Sequence, residues 1–144
     1  MIMVTTASAV YTVQLISLRC IESLELDGDD IELKFNSNTI WSSGKLKMHP
    51  RPSNGYQIKQ FDFTNGKIYG IYGWMYASPF EPDAFAFNNL SSDTKFELWE
   101  HDSLTGDESL AKSPVSARDA GHGNISIVFA KGGARYVLTY RVTI

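Results

Sequence analysis

Along much of the chain apolar and polar residues alternate with a period of two, the signature of strands that bury one face. The clearest run is residues 134–144, where Tyr136, Leu138, Tyr140, Val142 and Ile144 share one face and Arg135, Val137, Thr139, Arg141 and Thr143 the other. Residues 30–35 repeat it, with Ile31, Leu33 and Phe35 inward and Glu32 and Lys34 outward, and in residues 96–99 Phe96 and Leu98 alternate with Glu97 and Trp99. Residues 10–18 place Tyr11, Val13, Leu15 and Ser17 together and are rich in β-branched side chains. Further strands are expected at 39–41, 56–63, 84–87 and 125–129. Residues 67–76 read as one strand, paired with 56–63 across the Asn65-Gly66 turn, with two apolar faces: Ile68, Gly70, Tyr72, Trp74 and Tyr76 on one, Tyr69, Ile71, Gly73 and Met75 on the other. The proline- and glycine-containing stretches 42–55 and 112–124 read as irregular connections. About eight short strands without sustained helical periodicity indicate an all-β antiparallel sandwich.

Size and charge narrow this picture. A chain of 144 residues suits a single domain spanning 1–144, with a core that needs no disulfide. A net charge of -3 with scattered Lys and Arg argues against nucleic acid. Cys20 is the only cysteine and reads as a small buried hydrophobe. Residues 1–10 lack a positive region followed by a long apolar run, so no signal peptide is expected; this slightly favours the cytoplasm and leaves the compartment open. No segment has the ~20 apolar residues of a membrane-spanning helix.

The chemistry-bearing residues are acidic and lie on turns. Glu100, Asp102, Asp107 and Glu108 bend around Ser103, Thr105 and Gly106, and Glu22, Glu25, Asp27, Asp29 and Asp30 surround Gly28. Carboxylates gathered on curved loops repel unless a cation or a basic side chain lies between them, and calcium prefers such oxygen ligands. If the two loops meet at one end of the sandwich they hold calcium jointly. Catalytic signatures are poor: there is no nucleophile elbow, phosphate loop or dinucleotide fingerprint, and His49, His101 and His122 lack zinc-ligand spacing. His101 reads as a surface histidine pointing away from Glu100 and Asp102. The chain is therefore expected not to be an enzyme.

Three short motifs resemble the calcium-and-lipid-binding C2 domain. Trp99-Glu100-His101-Asp102 followed by Glu108 is similar to that family's acidic loop, residues 79–87 (PFEPDAFAF) to its segment ending F-x-F, and residues 30–35 (DIELKF) to its first-loop strand. The resemblance covers about half the chain and implies calcium ligands at Asp30, Glu100, Asp102 and Glu108, with Asp107 as a substitute for Glu108. Leu24 stands where the family has a first-loop ligand, so Glu25 or Asp27 would take that role. It also implies contact with an anionic membrane surface, with Leu26 and Leu104 at the loop tips.

Two readings from other classes stand beside it. One is a metal-independent structural or protein-interaction sandwich, such as an assembly subunit or a defence or toxin-like protein. The other is a carbohydrate-binding sandwich that uses Tyr69, Tyr72, Trp74 or Tyr76 as stacking platforms.

Overall fold

The computed structural model describes residues 10–76, 85–88, 90, 93–101 and 106–144, the side chain of Tyr76 excepted. Its strands are β1 (Thr12–Glu22), β2 (Asp30–Phe35), β3 (Asn38–Ser42), β4 (Lys47–Met48), β5 (Gln57–Asp62), β6 (Lys67–Gly70), β7 (Gly73–Tyr76), β8 (Ala86–Phe87), β9 (Lys95–His101), β10 (Glu108–Pro114), β11 (Asn124–Lys131) and β12 (Ala134–Thr143). They form two sheets. The larger runs β11-β12-β1-β5-β6-β7, with β4 parallel to β5 and β8 beside β1; the smaller runs β10-β9-β2-β3. The fold is the expected all-β sandwich.

Its core is made by the alternation read from the sequence. Ile31, Leu33 and Phe35 of β2 and Phe96 and Leu98 of β9 are buried against Tyr136, Leu138, Tyr140 and Val142 of β12. Ring contacts bridge the sheets: Phe96 meets Tyr140 at 5.4 Å, Phe35 stacks on Phe87 at 4.8 Å, and Trp41 meets Phe61 at 5.2 Å between ring centres. Each fully buried aromatic or leucine contributes about 1.5–3 kcal/mol, so this row is the main source of stability. Cys20 is buried there, as expected, and burial pushes its thiol up to about 12.

Two bulges re-aim side chains in ways simple alternation does not foresee. In β1 the register slips between Leu15 and Ser17, so the buried set runs Val13, Leu15, Leu18 and Cys20, while Ser17 leaves the core face on which it was expected. In β5 a slip between Ile58 and Gln60 lets Lys59 and Gln60 stay on the outer side while Ile58 and Phe61 are buried.

Three sequence expectations change. Residues 67–76 are not one strand but the β6–β7 hairpin, turning at Ile71 and Tyr72. Gly73 allows this by adopting φ 79°, the left-handed region open to glycine. As a result Tyr69 stands opposite Trp74 on one face, although strict alternation separated them. Part of the supposed 42–55 loop is β4. The acidic stretch ends in strand β10, which continues into the region read as irregular.

Candidate functional site

The turn after β1 is built around Asp29. This buried carboxylate accepts hydrogen bonds from the backbone N–H of Leu24 (2.7 Å) and Glu25 (2.8 Å) and from the Tyr136 hydroxyl. Its own backbone exchanges two hydrogen bonds with Met48 of β4, at 2.9 and 2.8 Å. Gly28 has φ 102°, and a Cβ there would lie 2.9 Å from both the Lys47 Cβ and the Met48 carbonyl oxygen. Only glycine lets the turn lie this close to β4.

The strand registers then gather the carboxylates at one end of the smaller sheet. Asp30 pairs with His101, and Glu100 with both Ile31 and Glu108. Glu25 and Asp27 lie in the adjoining turn, which the Asp29 hydrogen bonds hold against β4. The loop between β9 and β10 contains Asp102 and Leu104, which lie outside the described residues. Leu26 is 99% exposed at the tip of the other turn. Among the described residues no three His, Cys, Asp or Glu side chains come together so as to hold a metal ion.

Basic side chains stand among these carboxylates instead. Lys47 reaches Asp27 at 3.1 Å; this hydrogen bond raises its pKa, burial opposes the rise, and Asp27, Asp30 and Glu100 add to it through their charge. Lys131 approaches Glu108 at 3.7 Å. His101 bridges Glu32 through Nε2 and Asp107, at 2.8 Å, through Nδ1. The Asp107 hydrogen bond raises the His101 pKa most; burial opposes it, and Glu32 adds to the rise. Burial tends to raise the Glu32 pKa, but hydrogen bonds from Thr39 and His101 outweigh it, so the carboxyl titrates below its ordinary value.

No protein-family model and no curated protein matches the sequence. Among solved structures, a C2 domain of plant extended synaptotagmin 1 is similar with a TM-score of 0.45 and 12% identity, covering 93% of this chain and 92% of that one. A second C2 domain structure is similar with a TM-score of 0.42 and 12% identity, over 94% and 98% of the two chains. The C2-like outline read from the residues thus has C2 domains among its structural neighbours. Likeness at this level carries no argument about ligands. Among the described residues no helix is long and apolar enough to cross a membrane.

Sequence reasoning missed Asp29, Lys47 and the role of His101. Asp29 is one of five acids around Gly28 and has no pattern of its own. Lys47 comes to the site through the parallel β4–β5 pairing, which leaves no local signature. His101 does point away from Glu100, yet it is half-buried and ion-paired rather than a bare surface group. Of the candidate sugar platforms, Tyr69 and Trp74 share the outward face of the larger sheet, with ring centres 5.2 Å apart, while Tyr72 lies on the turn.

Proposed function

We propose that the chain is a non-catalytic binding module whose acidic end is neutralised by its own basic side chains and works without a bound metal. The supporting observation is Lys47, whose ammonium group is bonded to Asp27 and held in the field of Asp30 and Glu100. A calcium ion entering there competes with a tethered cation and gains correspondingly less from the same oxygens. This favours the metal-independent reading over a calcium bridge to anionic lipid.

Calorimetry in calcium and in chelator tests it. A ligand at about a hundred times its Kd adds about 2.7 kcal/mol to stability, enough to move Tm by several degrees. The expected result is the same Tm in both buffers. A clear rise in calcium, accompanied by calcium-dependent pelleting with anionic liposomes, would restore the calcium-and-lipid reading. In Lys47→Gln, where the tethered charge is gone, a calcium response is expected to emerge.

A further inference from the structure

The outward side of the larger sheet carries a second constellation, independent of the acidic end. Arg19 pairs with Gln60, Gln60 with Tyr69, and Tyr69 with Trp74, so these four residues stand in a row across β1, β5, β6 and β7. The β5 bulge adds Lys59 to the same side, and the five side chains line an open cleft of about 240 Å³. Trp74 also lines an adjoining cleft of about 210 Å³ with Asp62, Asn65 and Lys67. Tyr69 and Trp74 are 38% and 47% exposed, which is large for rings that could have turned into a core. Among the described residues, no salt bridge or side-chain hydrogen bond engages Arg19, Lys59 or Gln60. Two cations, an amide and two aromatic rings thus meet in one place with their bonding capacity unspent.

We propose that this row binds an acidic saccharide, a sugar ring bearing a carboxylate. The C–H face of such a ring packs on Trp74 and Tyr69, which offer apolar area at little entropic cost. Its carboxylate is met by the planar fork of Arg19 and the ammonium group of Lys59. The Gln60 amide both donates and accepts, as hydroxyl groups require. The cleft is smaller than the ~300–1,000 Å³ of pockets that engulf a small molecule, which fits contact with one ring face. Trp74, shared by the two clefts, gives an oligosaccharide a path from one to the other. An anionic membrane is a poorer fit, because such surfaces are read by clusters of about 4–8 Lys or Arg, and the two clefts together offer three, Arg19, Lys59 and Lys67, with the carboxylate of Asp62 beside them.

Affinity electrophoresis of the whole chain through gels containing polygalacturonate or alginate, with dextran as the neutral control, tests this. The expected result is retardation by at least one uronate polymer, weakening with salt, and none by dextran. Trp74→Ala and Arg19→Gln are each expected to weaken binding at least about tenfold, the loss of one good contact. Tyr72→Ala, on the turn of the same hairpin but outside this cleft, should bind as wild type. Circular dichroism verifies that each variant is folded, and Arg19→Gln alone decides the matter if Trp74→Ala is not. Absence of retardation by both uronates, equal retardation of wild type and Arg19→Gln, or binding only to phosphatidylserine vesicles would overturn the proposal.

Discussion

On the smaller sheet, Glu97 has a side chain only 7% exposed, yet it lies 3.9 Å from Lys95, 4.0 Å from Lys112 and 3.2 Å from the Trp99 indole nitrogen. Beside it Lys34 sits 4.8 Å over the Trp99 ring and 3.5 Å from Glu32, which is bonded in turn to His101. On the outward face of the larger sheet, Arg19 and Lys59 stand beside equally suitable aromatic rings without a carboxylate partner among the described residues. Both surfaces are built from period-two strands, so the backbone does not explain the contrast; the cross-strand neighbours do. Opposite charges placed side by side close on each other, whereas Arg19 faces Gln60 and leaves its charge for something outside the molecule. A surface rich in charge is therefore no guide to a binding site until its internal pairs have been subtracted. Here that subtraction moves attention from the acid-rich end to a cleft lined by only two cations.

The largest effect should come from removing the carboxylate that holds the acidic end together. Asp29→Ala leaves two backbone N–H groups and the Tyr136 hydroxyl without their acceptor. Each orphaned buried group costs about 1–3 kcal/mol, so a loss of about 3 kcal/mol or more is expected in denaturant unfolding. A loss near zero would mean that the turn is not pinned by the Asp29 carboxylate and that its backbone bonds to Met48 and the Gln57 amide bond to the Asp27 carbonyl oxygen suffice to hold it. Gly28→Ala acts on the same joint through the backbone. The positive φ and the 2.9 Å approach to the Lys47 Cβ and the Met48 oxygen must both be relieved, at about 1–3 kcal/mol. Because the turn would shift away from β4, calcium sensitivity should change with it, and calorimetry of this variant in calcium and chelator reads both.

How far the sequence revealed this arrangement depends on what kind of interaction made it. The alternation in β2, β9 and β12 was legible because burying one face of a pleated strand imposes period two, and Ile31, Leu98 and Tyr140 lie where it puts them. The β6–β7 turn was not legible: Ile71 and Tyr72 carry no polar turn signal, and Gly70 and Gly73 look the same in a strand as in a hairpin. The bulges at Ile16 and Lys59 are also silent, since one extra residue changes no composition. At the acidic end the carboxylates were visible as a cluster, but Lys47 and Lys131, which partner Asp27 and Glu108, come from distant strands. Composition announced the acids and hid their neutralisation.

A smaller effect separates the paired face by pH. The His101 pKa is raised above its ordinary 6.5, so its stabilising contribution is complete below that value and is lost as pH rises through the raised folded-state pKa. Glu32 is lowered from 4.5, so its contribution is complete above that value and is lost as pH falls through the depressed one. The pair is therefore worth most between 4.5 and 6.5. Since His101 is about a third exposed, the change should stay under about 1 kcal/mol. Thermal melts taken from this range up to well above pH 6.5 should show wild type losing stability toward alkaline pH relative to His101→Gln, the loss setting in as pH passes the raised His101 pKa; parallel curves would mean that the imidazole is not charged by its neighbours.

The smallest expected effect bears most directly on the contrast between the two faces. If Arg19 is unused within the molecule, Arg19→Gln should change unfolding free energy by no more than about 0.5 kcal/mol, as for a surface site without partners. Glu97→Gln, which weakens contacts to Lys95 and Lys112 around a nearly buried carboxylate, should cost measurably more in the same denaturant titration. A loss at Arg19 equal to that at Glu97 would show that its charge is already satisfied in the folded chain, and the larger sheet would then offer a ligand no more than the smaller one does. A neutral Arg19→Gln that also loses retention on uronate gels would tie the two results together, because a side chain that does nothing for folding but is needed for binding is held for its ligand.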